Sequence, residues 1–286
     1  MQNTIELKEV KKSYGSTAVL KGISFTVSGG EVFALLGTNG AGKTTTLECI
    51  EGLRSYDFGK IKVNGSIGVQ LQSTSLLANI KVKEAIELFS RWNNAAIPGK
   101  IIESLSLSAL ANTEYGKLST GQKRRLHLAL AVAGDPDIII LDEPTAGLDV
   151  EGRAAMHAEI RSLRGRGKSV LLASHDMAEV ESLCDRIAIL HKGHIVFHGT
   201  PRELTSRGVS TRRTHLRTSP ALEVTPLDHS EYLGMEQEYA VFEATDLGEC
   251  LAELLRLAKE QHLAVLDIQI EQITLEERFL QLQEAD

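Results

Sequence analysis

Residues 32–44 read Val-Phe-Ala-Leu-Leu-Gly-Thr-Asn-Gly-Ala-Gly-Lys-Thr, a continuous apolar run followed at once by a glycine-rich turn. The apolar run predicts a strand covered on both faces, and a helix is predicted to start directly after Lys43. The spacing Gly37-x-x-x-x-Gly42-Lys43-Thr44 places successive backbone N–H groups at that helix start, where they form a cradle for an anion. This stretch predicts a phosphate-binding loop, with Lys43 reaching the β- and γ-phosphates of a nucleotide and the Thr44 hydroxyl coordinating Mg²⁺.

Further buried strands are predicted on either side of this one. Residues 138–141 and 170–173 are continuous apolar runs separated by predicted helices. This alternation indicates an α/β fold with a mainly parallel sheet and helices on both of its faces. The alternating polar and apolar residues within 4–27 predict an antiparallel β layer. Residues 73–134 are predicted as an inserted helical subdomain, with a helical pattern that runs from residue 82 to 110.

The composition changes after residue 204. Residues 206–210 resemble a linker, so the domains are predicted as residues 1–208 and a small α+β domain at 209–286. The second domain holds 6 Lys/Arg against 16 Asp/Glu, a net charge of −10, whereas the first has a net charge of +3. We interpret the negative charge as a solvated acidic surface, which does not suit nucleic acid or an anionic membrane as the main ligand. The strands and helices predicted in this domain are residues 239–244, 247–260, 264–270 and 275–282.

The cysteines and the apolar segments indicate the compartment. The chain has 286 residues and three cysteines, which are far apart and lack the spacing of a metal site. Such thiols are typical of a reducing compartment. The N-terminal residues alternate in polarity and do not form the apolar core of a signal peptide. No stretch approaches the roughly 18 apolar residues of a membrane helix. We therefore expect a cytoplasmic chain.

Two further motifs are predicted to carry chemistry. The strand before Asp142 delivers this carboxylate to a metal beside Thr44. Glu143 follows directly, where a carboxylate can polarise a water molecule for attack on the γ-phosphate. Residues 118–122, Leu-Ser-Thr-Gly-Gln, precede a helix and allow two interpretations. Ser119 and a glutamine three residues later can form a capping box, or the helix start can serve as a second anion site.

Together these motifs resemble the ATPase subunits of ABC transporters, over residues 2–204. The resemblance implies a P-loop NTPase core and a Walker B strand that ends in the metal ligand Asp142 and the catalytic residue Glu143. It implies a second catalytic residue, the switch histidine His175, which contacts the γ-phosphate. The nucleotide-binding residues implied by the resemblance are Tyr14 at adenine, Gly37, Thr38, Asn39, Gly40, Ala41, Gly42, Lys43, Thr44 and Thr45 of Walker A, Gln72 of the Q-loop, Ser119, Gly121 and Gln122 of the signature, and Asp149 of the D-loop.

Two positions of the family pattern need comment. Gln70 competes with Gln72 for the Q-loop role, and Gln72 is preferred because it stands where the family glutamine follows an Ile-Gly pair. The resemblance makes Gln72 a metal ligand beside Thr44 and Asp142, and a sensor of the membrane partner. Thr120 departs from the family pattern, since it replaces the usual glycine of the signature. A signature with threonine at this position resembles that of the drug-export branch of the family.

The resemblance also implies partners. Each ATP, bound with Mg²⁺, would lie between the phosphate loop of one chain and the signature of a second copy, so a homodimer forms on ATP binding. ATP hydrolysis would drive the export of a substrate through a separate transmembrane permease. This chain would be peripheral on the cytoplasmic face of the cell membrane. The C-terminal residues 273–280 resemble the extension of exporters linked to drug and antibiotic resistance. The alternatives are a soluble ABC ATPase of DNA repair or translation, and a nucleotide-binding switch with little turnover.

Overall fold

The computed structural model describes residues 3–70, 76–97, 99–206, 211–271 and 274–284. The chain forms two compact units, one of residues 1–201 with 282–286 and one of residues 202–281. The boundary predicted between residues 208 and 209 lies outside the described residues.

The strands of the first unit precede and follow the phosphate loop. In chain order they are β1 (Asn3–Tyr14), β2 (Thr17–Ser28), β3 (Val32–Leu36), β4 (Phe58–Val63), β5 (Ile67–Gln70), β6 (Ile138–Asp142), β7 (Ser169–Ser174), β8 (Arg186–His191) and β9 (His194–Gly199). The central sheet has the order β5-β6-β7-β3-β8-β9, in which β9 alone pairs antiparallel. An antiparallel sheet of order β2-β1-β4 forms the second layer. The predicted α/β class, with its parallel sheet and antiparallel layer, is confirmed.

The helices connect the parallel strands and cover the sheet. They are α1 (Lys43–Ile50), α2 (Val82–Trp92), α3 (Gly99–Ser104), α4 (Thr120–Ala131), α5 (Val150–Gly165) and α6 (Met177–Leu183), with short 3-10 turns at Ser108–Leu110 and Tyr115–Lys117. Helix α7 (Pro201–Ser206) follows β9 at the boundary of the two units. Every residue of β3, β6 and β7 is buried, as expected for strands covered on both faces. The core between the two sheets includes Leu47 and Ile50 of α1, which pack with Ile140 and Leu171.

The helical pattern predicted from residue 82 to 110 is divided among α2, α3 and the 3-10 turn at Ser108–Leu110. Helix α2 ends at Trp92, and Asn94 adopts the left-handed conformation with φ of 50°. Asparagine tolerates this conformation better than most residues, so it ends a helix readily. The apolar periodicity continues beyond this turn because Ile101 of α3 and the following Leu105 and Leu107 are also buried, and periodicity alone does not reveal the break.

The second unit is a sheet covered by a helix. Its strands are β10 (Arg212–Ser219), β11 (Glu231–Glu236), β12 (Tyr239–Ala244) and β13 (Ala264–Ile270), in the antiparallel order β11-β12-β10-β13. Helix α8 (Leu247–Glu260) places Cys250 and Leu254 on Leu216 and Phe242 of the sheet. A last helix, α9, spans Leu275–Glu284. Throughout the part of the chain that the structure describes, each helix is too short or too polar to cross a membrane.

Candidate nucleotide-binding and hydrolytic site

The phosphate loop connects the end of β3 to the start of α1. Gly42 is the N-cap residue of α1, with φ of 110°, and no side chain caps the helix there. The first N–H groups of the helix therefore depend on another acceptor, and a phosphate supplies acceptor oxygens in that place. At Gly37 a Cβ atom would lie 2.5 Å from the carbonyl oxygen of Leu190, so only glycine allows this close packing. The loop has the form that the sequence predicts.

Lys43 is buried at the base of the loop. Its Nζ donates to the carbonyl oxygen of Gly37 at 2.6 Å and more weakly to that of Thr38 at 3.4 Å. Burial lowers the pKa of the Lys43 amine, and the nearby carboxylates of Glu143 and Asp142 oppose that shift. An ammonium group carries three donors, so the amine can bind phosphate oxygens as well as the loop.

Thr44 and Asp142, the two predicted metal ligands that the structure describes, lie side by side. The Thr44 hydroxyl donates to Oδ2 of Asp142 at 3.2 Å. Burial raises the pKa of the Asp142 carboxyl, the Thr44 hydrogen bond lowers it, and the charge of Glu143 raises it again. A buried carboxylate beside a hydroxyl is an oxygen donor set that fits Mg²⁺, which proteins bind through one or two carboxylates together with substrate phosphates. A cation there would also offset the cost of burying the charge of Asp142.

Glu143 and His175, the two predicted catalytic residues, are in direct contact. Oε2 of Glu143 lies 2.7 Å from Nδ1 of His175, which follows the end of β7. Glu143 is buried and has a left-handed backbone with φ of 51°, and its N–H donates to the carbonyl oxygen of Ala173 at 3.0 Å. A left-handed conformation is strained for a residue other than glycine, and such strain is concentrated at functional sites. The two predicted catalytic residues are therefore brought together by neighbouring strands.

A cavity of about 530 Å³ is lined by Lys43, Thr44, Asp142 and Glu143, whereas His175 is not among its lining residues. Its size suits a nucleotide-sized ligand, because small-molecule pockets span about 300–1,000 Å³. Val19 also lines the cavity. The sequence predicts it only as a strand residue, because an apolar residue in a strand carries no signal of a binding role. The lining residues are Val19, Thr38, Asn39, Gly40, Gly42, Lys43, Thr44, Thr45, Asp142 and Glu143.

Other predicted site residues stand outside this lining. Tyr14 is 41% exposed, and its ring is covered by the amine of Lys12 at 5.6 Å and the guanidinium of Arg54 at 5.2 Å. Asp149 caps α5 by accepting from the N–H of Gly152 at 2.8 Å. Gln72 lies outside the described residues. Its rival Gln70 is buried at the end of β5.

The signature residues start α4 and form the capping box that the sequence allowed. The N–H of Gln122 donates to Ser119 Oγ at 3.2 Å, and the N–H of Ser119 donates to Gln122 Oε1 at 2.9 Å. Gly121 lies in the first turn of the same helix. None of these residues lines the cavity of its own chain. The capping box does not exclude the second interpretation, because the same helix start can meet a ligand held by another chain.

The sequence is similar to curated exporter subunits. A family model described as "ABC transporter" matches residues 20–146. The Nod factor export ATP-binding protein I of Burkholderia orbicola is 39% identical, over 70% of this chain and 72% of that protein. The protein of the same name from Rhizobium johnstonii is 40% identical, over 70% of each chain.

Solved structures show the same fold. A structure described as the ATP binding subunit of an ABC transporter superposes with a TM-score of 0.65 and 26% identity, over 70% of this chain and 91% of that one. The ADP conformation of an ATP-binding cassette gives a TM-score of 0.63 at 23% identity, over 71% and 93% of the two chains, and this likeness concerns the fold alone. The loop, the carboxylates and these relatives agree: the chain belongs to the ABC transporter family as an ATP-binding subunit, an ATPase that uses ATP with Mg²⁺ to drive transport.

Proposed function

We propose that this subunit powers export through a separate transmembrane permease, with Glu143 as the catalytic base of ATP hydrolysis. The observation that carries the catalytic part is the position of Glu143, which lines the phosphate cavity and lies 2.7 Å from His175. The direction of transport is supported by the relatives, which are named as export proteins.

The proposed chemistry divides among the residues of the cavity. The N–H groups after Gly42 and the amine of Lys43 bind and orient the phosphates. Glu143 holds and deprotonates the attacking water, and its bond to His175 fixes the carboxylate for this task. Thr44 and Asp142, with Gln72, would hold Mg²⁺, which neutralises phosphate charge when it is bound. We assign Tyr14 to the adenine, since a tyrosine that is 41% exposed can stack on a base once the Lys12 and Arg54 side chains over its ring move aside.

We further propose that two copies of the chain together complete each ATP-binding site. The residues Ser119, Gly121 and Gln122 lie outside the cavity of their own chain, while α4 presents its N-terminus with a small-residue turn. In a head-to-tail homodimer this turn would face the γ-phosphate held by the partner loop, with Asp149 nearby. The charge of ATP would then join the two copies, and hydrolysis would release them.

A surface on the helical subdomain suits the permease. Leu88 and Trp92 are four residues apart on α2, so they share one face of the helix, and they are 50% and 82% exposed. Exposed apolar side chains that cluster often mark protein interaction sites. The permease is the occupant we propose for this face.

The Trp92→Ala variant tests this contact. We expect about tenfold or greater loss of permease recovered with the tagged chain, because a tryptophan at the centre of an interface often contributes more than about 2 kcal/mol. Basal ATP hydrolysis of the isolated chain should stay within about twofold, since Trp92 is outside the cavity. The matched control is Leu53→Ala, which removes a 66% exposed apolar side chain from the turn after α1. Equal permease recovery with both variants would contradict the proposed face.

The partner itself is tested by purifying the tagged chain from native membranes. We expect one co-purifying polytopic membrane protein, and ATP-dependent movement of substrate away from the side that holds this subunit after reconstitution. Recovery with nucleic acid or ribosomes, and without a membrane protein, would favour the alternative of a soluble ABC ATPase.

Nod factor and drug-like compounds are the two substrate classes to compare in the transport experiment. Thr120 and the C-terminal extension support our proposal of the drug and antibiotic resistance branch, whereas the curated relatives are named for Nod factor export.

The location and the C-terminal domain complete the proposal. We place the chain in the cytoplasm, peripheral on the membrane through its permease. We propose residues 1–208 as the nucleotide-binding domain, with a helical subdomain at 73–134, and residues 209–286 as an accessory domain. The second compact unit, with its own core around Phe242 and Leu254, supports an accessory domain that folds around its own sheet.

A further inference from the structure

A buried carboxylate lies beneath the hydrolytic pair. The Glu179 side chain on α6 is fully buried. Its Oε2 accepts from the Ser174 hydroxyl at 2.6 Å, and the Thr145 hydroxyl lies close enough to lower the pKa of this carboxyl. The other oxygen, Oε1, lies 3.5 Å from Nε2 of His157 on α5. We call Thr145, His157, Ser174 and Glu179 the Glu179 cluster.

The cluster joins the two chain segments that carry Glu143 and His175. Ser174 is the last residue of β7 and directly precedes His175. Thr145 follows Glu143 by two residues. A single carboxylate therefore bonds to the residue before His175 and lies beside the residue two positions after Glu143. Loss of that carboxylate would remove a shared anchor of two strand ends, while the phosphate loop would keep its own bonds.

The start of α6 adds a second connection. Asp176 caps α6 by accepting from the N–H of Glu179 at 3.1 Å, and its own N–H donates to Ser174 Oγ at 3.1 Å. The other oxygen of Asp176 accepts from Arg153 of α5 at 3.0 Å. The cap therefore ties the start of α6, and with it Glu179, to the end of β7 just before His175.

A purely structural role explains this burial poorly. Taking a carboxylate out of water costs several kcal/mol, and well-packed apolar residues often give equal or greater stability than a buried ionic group. Burial raises the pKa of the Glu179 carboxyl, and the hydrogen bonds from Ser174 and Thr145 lower it. Buried titratable groups in such surroundings are concentrated at functional sites.

We propose that Glu179 is a positioning residue for hydrolysis, which fixes Glu143 and His175 relative to the phosphate cavity through Ser174 and Thr145. The inference rests on the proposed catalytic roles of Glu143 and His175. It predicts that Glu179 affects the rate of the chemical step more than the binding of ATP, because Glu179 itself does not line the cavity.

Steady-state hydrolysis of Mg-ATP by the purified full chain tests the proposal. For Glu179→Ala we expect kcat to fall by about 10–100-fold, since a displacement of about 1 Å can cost that much, while KM and the affinity for a non-hydrolysable ATP analogue change by no more than about twofold. Glu179→Gln keeps an oxygen that can accept from Ser174, so it should recover part of kcat. Ser174→Ala removes the bond to Glu179 and the bond from the Asp176 N–H but leaves the carboxylate in place. It should lower kcat by about threefold or more at unchanged KM, which keeps the test valid if Glu179→Ala does not fold.

The matched control is Glu159→Ala. Glu159 is also a buried carboxylate of the first unit, bonded to Ser104 at 2.8 Å and Arg166 at 2.9 Å, away from the cavity. The Glu159→Ala variant should lower Tm about as much as Glu179→Ala does, and its kcat should stay within about twofold of the wild-type value. Equal losses of kcat in Glu159→Ala and Glu179→Ala would overturn the proposal, as would wild-type kcat in both Glu179→Ala and Ser174→Ala. A Glu143→Gln variant with wild-type kcat would instead overturn the proposed function.

Discussion

The Glu143→Gln variant is expected to lose ATP hydrolysis by about 10²–10⁴-fold, the range that general base catalysis contributes. The amide cannot take a proton from water, yet it has nearly the shape of the carboxylate. It can also accept a bond from His175, so the pair keeps its contact. ATP should still bind, because the phosphates are held by the loop and Lys43. We therefore expect the ATP-bound dimer to persist and to elute as a dimer from a sizing column.

The control for this variant is Glu159→Gln, which neutralises a buried carboxylate distant from the cavity. Its hydrolysis rate should match that of the wild type, and its dimer should dissociate during turnover. Wild-type turnover in Glu143→Gln would exclude Glu143 as the base. A chain that remains monomeric with saturating ATP would count against the shared site, even where hydrolysis is lost.

The Lys43→Ala variant is expected to bind ATP about 10–100-fold more weakly. A hydrogen bond to a charged group contributes about 1.5–3 kcal/mol, and each 1.4 kcal/mol corresponds to about a factor of ten in affinity. The variant also loses the bond to the Gly37 carbonyl, so part of the effect comes from the loop. Isothermal titration with ATP at fixed Mg²⁺ measures the loss directly, and hydrolysis should fall at least as much.

Lys168→Ala provides the matched control. The Lys168 amine is also largely buried and donates to a backbone carbonyl, that of Asp135, at 3.0 Å. It lies outside the cavity lining, so ATP affinity should stay within about twofold. An unchanged ATP affinity in Lys43→Ala would show that the amine serves the loop alone.

The parts of the site that the sequence predicts are those held by local patterns. An apolar run, two glycines and a lysine at fixed spacing define the loop, and the strand before Asp142 places that residue at the same sheet edge. In the second unit, the alternation in β12 and the periodicity of α8 and β13 gave correct bounds for all three. By contrast, β10 was not predicted, because arginine and histidine alternate with Thr214 and Leu216, and only the latter two are buried.

The interactions that the sequence does not predict are those between distant segments. The contact of Glu143 with His175 joins residues on two strands, and the left-handed backbone of Glu143 follows from its bond to Ala173 rather than from residue type. Glu179 appears in the sequence as an ordinary acidic residue of a helix. Its burial depends on how α5 and α6 pack beside β7, which no spacing along the chain encodes.

The bond from Lys43 to the Gly37 carbonyl has a consequence for the speed of nucleotide capture. Because bonds within the chain already hold the loop, the entropy of ordering it is lost during folding and not during each encounter with ATP. A preordered loop needs no slow rearrangement, so the association rate should depend mainly on diffusion and on charge, and therefore on ionic strength. Differences in affinity among loop variants should then arise chiefly from how quickly the nucleotide leaves.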